Sequence, residues 1–134
     1  MLFAQAQHAP DMIDRYDAVA AMKSLPAMQK RVVLKNVFDN ESHHMVKTEI
    51  ISQLASDGDT ASQILIINAF NDKDAKVRLA AVQNIKWISP EIESNLKNVL
   101  NDSSYFVIEN SLDRLISFYP ERTNEYLALV KAQG

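Results

Sequence analysis

Three histidines, three closely spaced aspartates, one Asp-Gly-Asp run and one dense basic group are the residues here whose types and spacing bear on chemistry. His43 and His44 are adjacent. On a helix their side chains diverge by about 100° and do not converge on a metal as an i, i+4 pair does. His8 lies far off in sequence, so all three are expected at the surface or as helix caps. Asp11, Asp14 and Asp17 fall at i, i+3 and i+6, near one helix face, a layout that suits a hard cation. Acids also gather at helix N-termini, where the dipole favours them, and that is their expected role. Asp57-Gly58-Asp59 lacks the further acids and terminal Glu of a calcium loop and reads as a turn. Lys30, Arg31 and Lys35 read as a solvated face rather than an anion site. Trp87 and Tyr105 are of the type that anchors partners, but are expected to seal a gap between packed segments. No glycine-rich loop exists to cradle phosphate, and no serine stands in a nucleophile elbow. No catalytic, metal-binding or cofactor-binding residue is therefore assigned, and no cofactor is expected.

Composition narrows the class of partner. With 14 Lys plus Arg against 17 Asp plus Glu, the net charge is −3, whereas phosphate backbones call for a basic face. Nucleic acid is thus not the expected partner. The absence of Cys removes disulfides and thiolate metal sites. No apolar run approaches the roughly 18 residues of a membrane span, so no membrane partner is expected. At 134 residues the chain has the length of one domain.

The elements that would carry these residues are cut out by Pro and by Asp/Asn/Ser clusters, since only two glycines occur. The clusters at 9–11, 24–26, 39–42, 56–60, 71–74, 89–90, 101–104 and 119–120 have turn and N-cap compositions. They leave eight segments of helical length. These segments repeat. Val19, Ile51, Val82 and Leu112 are spaced 32, 31 and 30 apart, and Met22, Leu54, Ile85 and Leu115 keep the same intervals. In the second segment of each unit, Leu34, Ile66, Leu96 and Leu127 stay in register, as do Val37, Ala69, Val99 and Val130. Two ladders with one period predict a helical solenoid, in which hairpins bury their apolar faces by stacking. Val77, Ala81, Ile85 and Ile88 form one helical stripe, as do Ile108, Leu112 and Leu115. Ile64-Leu65-Ile66-Ile67 has strand propensity, but its place in the ladder predicts a buried helix. Ser89-Pro90-Glu91 supplies an N-cap, a first-turn proline and a carboxylate at the positive helix end.

Asp72, Val77 and Arg78 have the Asp-x-x-x-x-Val-Arg spacing of HEAT-like repeats, which this region resembles. The second unit carries Glu41, Val46 and Lys47, and the fourth carries Asp102, Val107 and Ile108. The resemblance implies an all-α, right-handed α-solenoid of about four hairpins, with units near 10–38, 42–70, 73–100 and 103–132. It also implies a structural ladder of Glu41, Lys47, Asp72, Arg78 and Asp102, in which loop acids meet bases and free backbone N–H groups of adjoining units. The fourth unit lacks the base and the first has Ala9 in place of the acid, although Arg15 is present. The ladder is expected to weaken there. The period is shorter than the 40–47 residues usual for HEAT arrays.

The segment from His8 to Ala18 resembles the start of the C-terminal helical domain of aminopeptidase N-like zinc metallopeptidases, where an Asp-Arg-x-x-Ala segment enters a HEAT-like array. The zinc-binding H-E-x-x-H of that family is absent, so none of its catalytic residues carries over. Residues 1–9 read as the remnant of a preceding helix or linker, and the chain as excised from a longer protein. The function expected is a non-catalytic module that binds a protein or peptide, or the rest of its own parent chain. The alternative is a HEAT-like enzyme or nucleic-acid binder such as a DNA glycosylase or bilin lyase. Its second helices offer Asn68, Asn95 and Asn98 but few cations beyond the first unit. Leu2, Phe3 and Met12 mark the N-terminal end as apolar, so the first helix pair is expected to be weakly protected or to dimerise. Glu121, Arg122, Asn124, Glu125 and Lys131 suit the C-terminal unit to water.

Overall fold

The polar clusters at 9–11, 39–43, 71–74 and 101–104 become helix boundaries in the computed structural model, which describes residues 2–55 and 60–131. The described residues form nine α-helices and two short 3-10 turns, with no strand among them. In chain order the helices are α1 (Leu2–His8), α2 (Met12–Ala21), α3 (Ala27–Asn40), α4 (His44–Leu54), α5 (Thr60–Phe70), α6 (Ala75–Asn84), α7 (Pro90–Val99), α8 (Tyr105–Phe118) and α9 (Thr123–Lys131). The expected turn at Asp57-Gly58-Asp59 lies outside the described residues, as do the side chains of Phe3 and Lys131.

The caps repeat as the core does. Asp11 accepts the Ile13 N–H (2.8 Å), His43 Nδ1 accepts the Met45 N–H (3.2 Å), and Asp74 accepts the Lys76 N–H (2.9 Å). Ser104 holds the same place before α8, without a side-chain cap bond. The other three each satisfy an amide that has no partner within the helix. Ser89 Oγ caps α7 through the Ile92 N–H, with Pro90 in the first turn.

Packing divides the helices into two layers. In one, α2 packs on α4, α4 on α6 and α6 on α8; in the other, α3 packs on α5 and α5 on α7. Helix α1 packs against both α2 and α3, so it stands ahead of α3 in the second layer. The first-layer helices run parallel. Arg15 near the start of α2 meets Glu41 just ahead of α4, while Gln53 near the end of α4 donates to the Val19 carbonyl (2.9 Å). Between the layers lies the core: Val19, Ile51 and Val82, then Met22, Leu54, Ile85 and Leu115, facing Leu34, Ile66 and Leu96. Leu65 and Ile66 are buried within α5, where α3, α6 and α7 pack around the run. Apolar neighbours on several sides favour a helix there over the strand that propensity alone would give.

Several expectations need correction. Helix α6 stops at Asn84, so Ile85 and Ile88 do not continue its stripe; Ile85 is extended and still fully buried. Further on, Ser89 precedes a proline, which disfavours helical geometry at that residue, and α7 starts afresh at Pro90. Leu112 is half-buried rather than buried, since α8 meets α6 on one side but no further first-layer helix among the described residues. Leu127 is 37% exposed, and Tyr126 takes the inward position. The second-layer interval of 30 from Ile66 to Leu96 recurs at Tyr126, one residue before the expected Leu127. Tyr105 is 74% exposed and seals nothing, whereas Trp87 packs half-buried against the core. The expected contrast between the ends is also absent: Leu2 is exposed, but so are Leu127 and Leu129.

Candidate functional site

The loop acids and helix bases form pairs between successive units. Arg15 donates through Nε to Glu41 Oε1 (2.8 Å) and through Nη2 to Oε2 (3.1 Å). Lys47 Nζ donates to Asp72 Oδ2 (2.7 Å). Arg78 makes a bidentate pair with Asp102, at 2.6 and 3.0 Å. Each acid also accepts the amide two residues on, at His43, Asp74 and Ser104, fixing the entry to the next helix. Arg15 and Arg78 each reach back to a carbonyl of their own loop, Ala9 and Asp72. The pairs are mostly shielded from solvent: side-chain exposure is 16% and 3%, 13% and 9%, and 14% and 9%. Their work is to hold the register between units.

In the fourth unit, where Ile108 stands in place of a base, the tie moves to the other layer. Glu93 on α7 accepts hydrogen bonds from the buried Tyr126 hydroxyl (2.6 Å) and from Arg122. Burial alone would raise the Glu93 pKa; the bonds from Tyr126 and Arg122 outweigh it and hold the carboxyl below its ordinary range. Burial and the bond to Glu93 push the Tyr126 phenol upward. Arg122 stacks on Tyr119, 4.4 Å from the ring centre, and Lys97 pairs with Glu125 (3.5 Å). This network was not read from the sequence. Its signals were an acid beside the apolar positions Ile92 and Leu96, and a tyrosine in the second-layer column.

The other candidate residues are not drawn together. His43 lies outside the helix as its extended cap, so its ring stacks on His44 (4.7 Å between centres) instead of diverging from it. Asp11 caps α2, while Asp14 and Asp17 are exposed. Among the described residues no group of three or more His, Asp or Glu is disposed to hold a metal ion. Lys35 pairs with Asp39 (3.0 Å) along α3. No helix among the described residues is long and apolar enough to cross a membrane.

What the repeat leaves outward is the far side of the second layer. Met28 and Val32 on α3 are 78% and 65% exposed, and Ile64 on α5 is 45% exposed. Leu25, Met28, Val32 and Val33 line an apolar cleft of about 430 Å³. At the other end, Asn71, Asn95, Asn98 and Asn101 line a polar cleft of about 300 Å³ beside the Arg78–Asp102 pair. Val32 and Ile64 are spaced 32 apart, the interval of the core ladder. The face therefore repeats with the fold. It offers contact surface and hydrogen-bonding amides, an arrangement suited to holding another chain. Compared with known proteins, the chain matches no family model, no curated protein and no solved structure.

Proposed function

We propose that this chain is a non-catalytic helical-repeat module, a right-handed α-solenoid of HEAT-like hairpins that binds a protein or peptide across its second-layer helices. The observation that carries the reading is the exposed apolar patch of Met28, Val32 and Ile64, the last two in repeat register, on a face the fold itself does not cover. Contiguous exposed apolar surface of this kind marks contact sites. The shielded ion pairs between units support the reading further, because they hold neighbouring helices at a fixed spacing and so give the face a definite shape. The segment from His8 to Ala18 supports a parent resembling the aminopeptidase N-like metallopeptidases, in which such an array would wall the substrate chamber. Arg15 and Ala18 also serve the repeat packing, so binding carries the proposal and parentage only adds to it.

Site-specific photo-crosslinking tests this reading. A crosslinker at Val32 is expected to trap a discrete partner, identified by mass spectrometry, and Met28→Glu to prevent it. The same group at the exposed Asp113 on α8 should not trap that partner. No adduct from position 32, or the same adduct from both positions, would contradict the reading. Hydrolysis of an aminoacyl anilide by the purified chain would overturn its non-catalytic part.

A further inference from the structure

Asparagine recurs on the second-layer face at Asn36, Asn68 and Asn98, spaced 32 and 30 apart, in the register of the core columns. All three are exposed. Five of the seven other asparagines are used internally: Asn40, Asn71, Asn84, Asn95 and Asn110 each donate to the carbonyl four residues back. The carboxamides of Asn36, Asn68 and Asn98 make no hydrogen bond among the described residues. They stand on α3, α5 and α7, three consecutively packed helices, and the column ends in the polar cleft that Asn98 lines.

A carboxamide offers one acceptor and two donors, the complement of a peptide unit. Packed helices lie about 8–10 Å apart. A chain in the polyproline II conformation advances about 3.1 Å per residue with three residues per turn, so every third residue covers about 9 Å and faces the same way. Such a chain laid across the three helices meets a free amide once per helix. One turn before each asparagine stand Val32, Ile64 and Ser94, giving an apolar row beside the amide row over α3 and α5.

Resting on the protein-binding reading above, we propose that this face binds an extended peptide whose backbone hydrogen-bonds in turn to Asn36, Asn68 and Asn98, with apolar side chains against the exposed Val32 and Ile64.

The test uses the full chain and phage-displayed random linear 12-residue peptides. A selected peptide, synthesised and measured by fluorescence anisotropy, is expected to carry two apolar residues about three positions apart. Asn36→Ala, Asn68→Ala and Asn98→Ala should each weaken binding about three- to tenfold, the worth of a neutral hydrogen bond. The triple variant should weaken it more than the worst single change. Asn110→Ala, on α8, should leave it unchanged. N-methylation of one backbone amide in the peptide should reproduce the loss of one asparagine. The three asparagines are exposed and unbonded, so unaltered thermal melts are expected to show that each variant folds. Peptides that bind the triple variant with undiminished affinity would overturn the inference, as would failure to select any peptide binding below 100 µM. Either failure, with the Val32 crosslink still trapping a partner, would leave the protein-binding reading standing; loss of that crosslink too would remove both.

Discussion

Replacing Arg78 with Met removes a guanidinium that holds two units together while keeping most of the apolar stem that packs around it. Three hydrogen bonds disappear: two to Asp102 and one to the Asp72 carbonyl. Asp102 is left with the Ser104 amide as its remaining partner (2.8 Å). An exposed ion pair is worth about 1 kcal/mol or less, and breaking a fully buried one costs about 3–5 kcal/mol. With side-chain exposures of 14% and 9%, this pair lies toward the buried end, and a loss of about 2–3 kcal/mol is expected. For a chain of this size that corresponds to a fall of roughly 6–12 °C in Tm. Urea unfolding of the wild type, Arg78→Met, Asp102→Asn and the double variant forms a cycle whose coupling should be about 1–2 kcal/mol. A loss below about 0.5 kcal/mol in Arg78→Met, or strict additivity in the cycle, would refute the view that these pairs hold the units in register.

Leu115→Ala should cost about 2–4 kcal/mol by urea unfolding, and Leu112→Ala clearly less, since only Leu115 is fully buried. The Glu93 carboxyl is held below its unfolded pKa, so its contribution is complete above about pH 4.3 and is lost as pH falls through the lower folded value. Thermal melts from pH 6 to pH 3 should therefore show a smaller loss of Tm in Glu93→Gln than in the wild type. In hydrogen exchange, amides of α2 should exchange faster than those of α6, because among the described residues α2 is flanked in its layer only by α4 whereas α6 is flanked by both α4 and α8. Equal protection in a monomer would contradict this.

The buried columns were legible because a repeat imposes one environment on several residues at once: Val19, Ile51 and Val82 share one kind of contact, and so do Met22, Leu54, Ile85 and Leu115. Legibility failed where the environment changed. Ile85 keeps its buried place although its helix has ended at Asn84, because burial follows the column whether or not the backbone there is helical. Tyr126 displaced Leu127 because a polar partner, Glu93, decided which residue faces inward, and hydrophobic periodicity carries no information about such a partner. The ladder residues Glu41, Lys47, Asp72, Arg78 and Asp102 were named from a family pattern. Which acid meets which base came from the coordinates, together with the part played by Arg15. Asn68 and Asn98 drew notice in the sequence, yet their freedom was invisible there. Asn71 and Asn95 have the same side chain and spend it on their own helices.

The central claim is that the repeat presents the second-layer face to an extended partner. The most direct measurement is the two-dimensional ¹H–¹⁵N spectrum of the labelled chain titrated with a selected linear peptide. The side-chain NH₂ signals of Asn36, Asn68 and Asn98 are expected to shift together, along with backbone amides of α3, α5 and α7, while Asn110 and the rest of α8 stay in place. Saturable shifts confined to α2, α4, α6 and α8, with the three asparagine signals unmoved, would contradict the account.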